Sequence, residues 1–419
     1  MRARERESAY PRERVNRPRP FARRLGDIAA TTMPSTLAPL TRARFTEVLT
    51  DLGERARAWR FDVAPNPCVG AAFLDAHGSV IAEGFHRVWG GAHAEVEALR
   101  ALAATGVPAD ETHALVVTLE PCSTTGKTPP CTDALLRAGV RRVVVGELDP
   151  DARHRGRGMT LLHERGVDVG HLPGPAALER TTPHFLRWND RERIRRPRPW
   201  LIAKWAQTRS GHLVPPSDVG EGRWISSPES LREVQLLRSH VDAIVTGVGT
   251  VKTDDPRLSV RYPAELTNAP LRVVLDSELS TPPNARLFEP PQGGESAGAV
   301  HVLCRAGANA HRHRALLAAG AQVHNIHPGD DGRLDLREVL ALLWSMGARR
   351  VLLEAGPTLT KAFFERGFVD QLRVYTGAVN GGRGESLGLL LTGTELLERL
   401  HREVGPDAVL EAFPGRRLS

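Results

Sequence analysis

Apolar residues recur at helical spacing in R-A-R-F-T-E-V-L-T-D-L-G-E-R-A-R-A-W, where Phe45, Val48 and Leu52 share a face, so a helix is predicted from near Thr41. Two short apolar runs then flank D-A-H-G at 75–78, which predicts a hairpin. Further on, V-E-A-L-R-A-L-A-A predicts a helix opening near His93, followed by a strand at 113–119, a helix at T-D-A-L-L-R-A-G and a strand at R-R-V-V-V-G-E. That alternation predicts a sheet flanked by helices. A second alternating series starts with strand W-L-I-A-K-W-A and continues with S-P-E-S-L-R-E-V-Q-L-L-R, a helix with Ser227 as cap and Pro228 in its first turn. Strands are predicted at D-A-I-V-T-G-V-G-T, 271–276, 299–303, 349–354 and 371–376. Between the two series, residues 187–199 hold six Arg and two Pro with no apolar period and read as a linker. The expected organisation is α/β throughout: a tail at 1–38, a first domain at 39–186, the linker, and a second domain at 200–416.

Composition narrows the class. Over 419 residues, 41% hydrophobic and 25% charged content reads as globular, and no run approaches the roughly 18 apolar residues of a membrane span. The basic N-terminus lacks the apolar stretch of a secretory signal, so a cytoplasmic address is expected. The net charge of +7 suggests a nucleic-acid partner until it is located: residues 1–24 carry nine Arg against three Glu, which leaves the rest nearly neutral. The tail has no apolar period and is expected to be disordered, and Met33 offers an alternative start. Four cysteines suggest no disulfide framework.

Chemistry concentrates in A-H-A-E (92–95) and E-P-C-S-T-T-G-K-T-P-P-C (120–131). A catalytic zinc takes three protein ligands and leaves a fourth position to water; His93, Cys122 and Cys131 fill that list. Glu95, two residues after the His in the first helical turn, can face the metal without ligating it and serve as the acid/base, as in the H-x-E and P-C signature of zinc deaminases. An isolated His-x-Glu is more often a surface pair, but here strand 113–119 runs directly into the first cysteine, and strand ends are where α/β sheets place ligands. The cysteines have eight residues between them instead of two. The loop between them is too rich in turn formers to be helical; its Lys127 is either a substrate-phosphate contact or a solvated lysine. Asn66 between two prolines and His86 after the hairpin are substrate-site candidates with ordinary structural alternatives. Cys68 and Cys304 are expected to be buried bystanders.

The second half has no G-x-G-x-x-G after a first strand. Its best anion site is E-A-G-P-T-L-T-K, where a strand ends in Glu354 and Gly356-Pro357-Thr358 start a helix. In G-V-G-T-V-K-T-D-D-P-R-L-S-V-R, Asp254, Asp255 and Arg261 are expected to crowd a loop after a strand, with a plain Asp/Pro turn as the alternative.

With these residues in view, the chain from about 41 to 415 resembles the bifunctional deaminase/reductase family of bacterial riboflavin biosynthesis. A-P-N-P-C-V-G-A, G-G-A-H-A-E-V-E-A-L, T-L-E-P-C-S-T-T-G-K-T-P-P-C and L-D-P carry the resemblance in the first half. K-W-A, W-I-S-S-P, Q-L-L-R, G-T-V-K-T-D-D-P-R-L-S-V-R and E-A-G-P-T-L carry it in the second. The resemblance implies a three-layer cytidine-deaminase-like domain followed by a dihydrofolate-reductase-like domain that binds NADPH. It implies a diaminopyrimidinone substrate bearing a ribosylamino 5-phosphate, deaminated first and then reduced to the ribityl compound. It implies zinc on His93, Cys122 and Cys131 with Glu95 moving protons. NADPH contacts are implied at Ala206, Trp224, Thr250, Asp254 and the loop Gly356, Pro357, Thr358, Leu359, Thr360, Lys361 and Ala362. Substrate contacts are implied at Arg238, Leu258, Arg261 and Glu354, with Lys204 nearby, beside the candidates Asn66, His86 and Lys127 of the first half. Homo-oligomers are expected, without nucleic acid or membrane.

Three positions depart from the family pattern: Thr124 and Thr125 where a histidine commonly follows the serine, Ser210-Gly211 where Asp-Gly is usual, and Gly222 or Arg223 where a serine meets substrate. Two other readings therefore compete: a deaminase whose reductase-like half is only a scaffold, and a deaminase acting on a nucleic-acid base.

Overall fold

A computed structural model describes residues 39–190, 197–217, 225–263, 266, 268–329 and 331–417. The tail at 1–38, residues 191–196 of the arginine-rich stretch, and Gly222, Arg223 and Trp224 lie outside the described residues. In the first half, helix α1 (Pro39–Ala56) precedes the hairpin β1 (Gly70–Leu74) and β2 (Val80–Phe85). Then follow α2 (Ala94–Thr105), β3 (Ala114–Leu119), α3 (Cys131–Arg137), β4 (Arg142–Glu147), α4 (Arg157–Glu164) and β5 (Asp168–His171). The sheet order is β2-β1-β3-β4-β5, with β1 antiparallel to both neighbours and β3, β4 and β5 parallel.

Strand alternation decides the layers. Ala72, Leu74, Val116 and Val144 face Phe45, Val48, Leu49 and Leu52 of α1. Phe73, Leu115, Val117 and Val143 face Ala98 and Leu102 of α2 together with Leu135 and Leu162. The result is the expected three-layer domain. Helix α2 lies unusually close to β2: a Cβ on Gly84 would stand 2.2 Å from the Ala98 nitrogen and 2.4 Å from the Ala94 oxygen. Any side chain there would push α2, and with it His93 and Glu95, away from the sheet.

Helix α5 (Pro183–Trp188) closes the first half and takes in Arg187 and Trp188, the first two residues of the arginine-rich joining stretch. The second sheet is built from β6 (Trp200–Gln207), β7 (Ala243–Gly247), β8 (Leu271–Leu275), β9 (Val300–Arg305), β10 (Gln322–Ile326), β11 (Arg350–Leu353) and β12 (Gln371–Thr376), then β13 (Thr394–Val404) and β14 (Asp407–Arg417). Its helices are α6 (Pro228–Ser239), α7 (Val248–Asp254), α8 (Ala310–Ala318), α9 (Leu336–Ser345) and α10 (Pro357–Glu365). The order is β10-β9-β8-β7-β11-β6-β12-β14-β13, parallel from β10 to β12 and finished by an antiparallel hairpin. Strand β11 inserts between β7 and β6, so the chain changes direction across the sheet there and leaves a crevice at the carboxyl ends of these three strands.

Two expectations are corrected. The strand predicted through Thr250 stops at Gly247, and Val248–Asp254 is helical because Val248 and Val251, three apart, pack on one core cluster. Asp255 is that helix's C-cap, with φ of 40°, and its carboxylate accepts the Arg286 N–H at 2.8 Å. Residues 394–417, where the pattern predicts no element, form the long C-terminal hairpin.

The two halves share a packed seam. Phe61 and Ala64 join Trp200, Ile202, Ile244, Leu352 and Phe413 in one apolar cluster. Arg350, the first residue of β11, is fully buried there; its guanidinium donates to the carbonyls of Phe61 (2.9 Å) and Asp62 (3.0 Å). His184 of α5 stacks on Phe413 at 5.0 Å and donates from Nε2 to the Asn66 carbonyl at 2.9 Å. Its buried Nδ1 has no partner among the described residues. Burial pushes the His184 imidazole down to about 4 from its ordinary 6.5, so the folded protein keeps it neutral. Between those values the unfolded chain binds a proton that the folded chain refuses. The associated stability is therefore complete above pH 6.5 and is lost as pH falls toward 4, by on the order of 3 kcal/mol. Denaturant midpoints across this window should fall with pH, and less steeply in His184→Gln; identical slopes would contradict the assignment.

Candidate active sites

His93 is the N-cap of α2, Cys122 follows β3 after a three-residue step, and Cys131 opens α3. Two helix starts and a strand end thus deliver three donors to one point. His93 Nδ1 lies 3.2 Å from Cys131 Sγ and 3.6 Å from Cys122 Sγ, and all three donor atoms fall within 4.8 Å of one another. Bonds of about 2.0 Å to nitrogen and 2.3 Å to sulfur put the ligands of a tetrahedral zinc about 3.5 Å apart, so the set fits that ion. Among the described residues this is the single such group. A hydrogen bond from the Cys131 thiol lowers Cys122 and the same contact raises Cys131, the direction expected of two sulfurs that share a proton. Glu95 is buried in the first turn of α2, and burial raises its carboxyl above the usual range. A raised carboxyl beside a metal site suits a group that both takes and returns protons.

Around these residues lies a cavity of about 420 Å³. His86 stands edge-on to His93 with ring centroids 5.2 Å apart. Its Nδ1 faces the Ala92 carbonyl at 3.0 Å, and burial holds the ring down at about 4, hence neutral. With Nδ1 donating, Nε2 is left to accept from the Asn66 amide at 3.2 Å, which orients Asn66 toward the cavity with its amide oxygen unspent. Glu120 accepts the N–H groups of Gly156 and Gly158, both at 2.8 Å, and so fixes the wall behind Cys122. Lys127 reaches Asp242 of the second half at 2.7 Å and lies 3.8 Å above the Trp89 ring. The wall also includes Trp344 and Arg349 of the second half, neither anticipated from sequence. Nothing local to 344–349 marks them; only the docking of the two sheets brings them there.

The second crevice gathers most of the residues expected of it. Ala206 lies near the end of β6, Thr250 and Asp254 lie on α7 after β7, and Gly356 is the N-cap of α10 after β11. These are the carboxyl ends of three adjacent parallel strands. No side chain caps α10, and Pro357 occupies its first turn, so the first N–H groups remain available to an anion. A Cβ on Gly356 would meet nothing nearer than Thr250 Oγ1 at 3.9 Å, which leaves open space against the bare backbone, a cradle suited to a cofactor phosphate. Within the loop, Leu359 and Ala362 pack on the core, Thr360 bonds the Ala355 carbonyl at 3.2 Å, and Lys361 pairs with Glu385 at 2.6 Å. The region around Trp224 is not described.

Of the implied substrate contacts, Arg238 forms a two-pronged pair with Glu354 at 2.8 and 2.9 Å and also donates to the Ser259 carbonyl at 3.0 Å. Burial opposes the Glu354 charge, but Arg238, with Lys204 nearby, holds that carboxyl at about 2. Lys204 is enclosed and its ammonium is lowered by burial. Leu258 is buried with φ of 52°, a left-handed conformation that costs a non-glycine residue about 1 kcal/mol or more. Arg261 is 60% exposed, while its backbone N–H is fixed by Gln235 at 2.8 Å. Ser210 makes the turn that an aspartate commonly makes: its Oγ accepts the Gly381 N–H at 2.6 Å and donates to Asn380 at 2.7 Å, beside Gly211 with φ of 82°.

The folds and sites define a zinc-dependent deaminase joined to a reductase. Residues 45–147 match the family model of the cytidine and deoxycytidylate deaminase zinc-binding region, and residues 199–407 match that of the RibD C-terminal domain. The riboflavin biosynthesis protein RibD of Escherichia coli K12 is 36% identical over 380 residues, covering 85% of this chain and 95% of that protein. That of Aquifex aeolicus is 33% identical over 325 residues, covering 77% and 84%. The solved RibD of Acinetobacter baumannii, form 1, superposes with a TM-score of 0.59 at 27% identity over 90% of this chain and all of that one. The chain belongs to the RibD family of riboflavin biosynthesis proteins. It is a bifunctional enzyme, a hydrolytic deaminase and an oxidoreductase, with zinc and NADPH as its cofactors. The scaffold and nucleic-acid readings are not favoured.

Proposed function

We propose that the first half, residues 39–186, deaminates the diaminopyrimidinone carrying a ribosylamino 5-phosphate. The second half, 200–416, then reduces the ribosyl group to ribityl, with 187–199 joining them. The convergence of His93, Cys122 and Cys131 beside buried Glu95 is the observation that carries the first step. Those three residues hold zinc, which when bound supplies a water acidified toward neutral pH and a Lewis acid. Glu95 takes the proton from the attacking water and returns it to the leaving amine, a transfer favoured by its raised carboxyl. Asn66 and His86 orient the pyrimidine, and Lys127 meets its phosphate.

In the second half, the start of α10 and the residues Ala206, Trp224, Thr250 and Asp254 seat NADPH, which supplies the hydride. Glu354, Arg238, Lys204, Leu258 and Arg261 line the substrate side. Arg261 is the exposed cation there and meets the phosphate, whereas Arg238 acts with Glu354 as a fixed pair. No described helix is long and apolar enough to cross a membrane; a cytoplasmic location and assembly with further copies of the chain complete the reading.

Anaerobic turnover with and without NADPH tests both halves. The aminouracil should form without NADPH and the ribityl product only with it. Gly356→Val should fold normally, because its φ of −65° suits any residue and no atom crowds the new Cβ. It should lose about tenfold or more in NADPH affinity while deamination persists. Unchanged NADPH binding in that variant would move the cofactor elsewhere.

A further inference from the structure

At the mouth of the deaminase cavity, two cations lie on tryptophans from opposite halves of the chain. Lys127 lies 3.8 Å above Trp89, and the Arg349 guanidinium lies 3.7 Å above Trp344 of α9. One carboxylate ties them together. Asp242 accepts Lys127 on Oδ1 at 2.7 Å, and on Oδ2 it accepts the backbone N–H groups of Arg349 (2.7 Å) and Arg350 (3.1 Å). The two residues are thus fixed at one point of the seam.

Arg349 itself is held but not neutralised. Its Nη1 donates to the carbonyls of Trp344 at 2.8 Å and Ala348 at 3.3 Å, which fixes the plane of the guanidinium. Among the described residues its Nε and Nη2 have no hydrogen-bond partner, and no carboxylate pairs with its side chain. Both Arg349 and Trp344 line the same cavity as His93, Glu95 and Cys122. A guanidinium stacked on an aromatic face, with one edge anchored and the other free, is preorganised for an oxyanion, and phosphate is the ligand whose geometry matches that fork. Among the described residues that line the cavity Arg349 is the one guanidinium, and the acidic groups are Glu95, Glu120, which is spent on backbone N–H groups, and Asp149.

We propose that the second half completes the deaminase site: Arg349, supported by Trp344, binds the 5′-phosphate of the pyrimidine together with Lys127 across the seam. This rests on the deaminase reading above and adds to it a specificity residue from the reductase half. It also gives the fusion of the two halves a chemical consequence, since a deaminase domain alone would lack half of its phosphate site.

The test compares deamination of the phosphorylated pyrimidine with that of its dephosphorylated nucleoside, in the full-length zinc-loaded chain. Arg349→Ala should raise KM for the phosphorylated substrate about 10- to 100-fold, the range of a lost charge-assisted contact. Its kcat should be unchanged, as should both constants for the nucleoside. Arg349→Lys should recover part of the loss, because a point charge replaces the charge but not the fork. Zinc content and NADPH binding equal to wild type would establish that the variant is folded, and Arg349→Gln serves if the alanine variant is not. Equal losses on both substrates would make Arg349 a seam contact only, and no loss on either would exclude it from the site; each result overturns the proposal. A wild type that does not prefer the phosphorylated substrate also overturns it while leaving the deaminase reading intact. A zinc-loaded wild type that deaminates neither substrate overturns both.

Discussion

Glu95→Gln should keep its zinc and its fold and lose deamination by on the order of 100-fold or more, the scale of a general acid/base. The glutamine has nearly the same shape, and His93, Cys122 and Cys131 are untouched, so metal content should match wild type. What disappears is the exchangeable proton. Glu95 sits in the first turn of a helix pressed onto the hairpin at Gly84, and burial raises its carboxyl. Metal analysis paired with single-turnover deamination checks the claim: near-normal turnover with full zinc would show that a different group carries the proton. Hydride transfer, measured on the aminouracil, should be unaffected because its crevice lies in the other sheet.

The zinc centre was legible in sequence because its chemistry is local to short elements. His93 and Glu95 lie two residues apart at a helix start, and each cysteine sits at the end of an element whose apolar pattern is plain. The crevice of the second sheet was partly legible, since a strand ending in Glu354 followed by Gly-Pro predicts the bare N-terminus of α10. Its neighbours were less so. The helix Val248–Asp254 was hidden by glycine and threonine, which read as strand or loop until Val248 and Val251 are seen against the same core. The long C-terminal hairpin was hidden in L-L-E-R-L-H-R-E-V, where leucines three and four apart imitate a helical stripe. Least legible was the seam. Arg349 and Arg350 read as the first two residues of a predicted strand, yet one lines the deaminase cavity and the other is buried among carbonyls of the first half. Only the pairing of distant segments makes that distinction, and no periodicity encodes it.

Arg350→Ala should destabilise the protein by on the order of 2 to 4 kcal/mol, the scale of lost charge-assisted hydrogen bonds to buried carbonyls together with the void left behind. The guanidinium holds the carbonyls of Phe61 and Asp62 and approaches that of His240 at 3.4 Å, in a cluster that solvent does not reach. Truncation takes one donor from each of these carbonyls, which keep Gln371 Nε2 on Phe61 and the Trp89 N–H on Asp62, both at 3.0 Å, and it opens a void beside the Trp89 ring, 5.9 Å from the guanidinium carbon. Neighbouring contacts cannot take over, because Gln371 already donates to the Phe61 carbonyl at 3.0 Å and Arg373 already pairs with the Asp62 carboxylate at 2.9 Å. The one-turn helix Arg60–Val63 that carries these carbonyls leads directly into Asn66 of the deaminase cavity. Loosening the seam should therefore reach both activities: deamination and reduction should be lost at the same, lowered denaturant concentration. Arg350→Lys should recover only part of the stability, since an ammonium cannot span both carbonyls as a fork does. If instead the deaminase half melts in Arg350→Ala where the wild type does, with reduction alone weakened, then the halves are energetically independent and the seam is a contact without consequence for the first site.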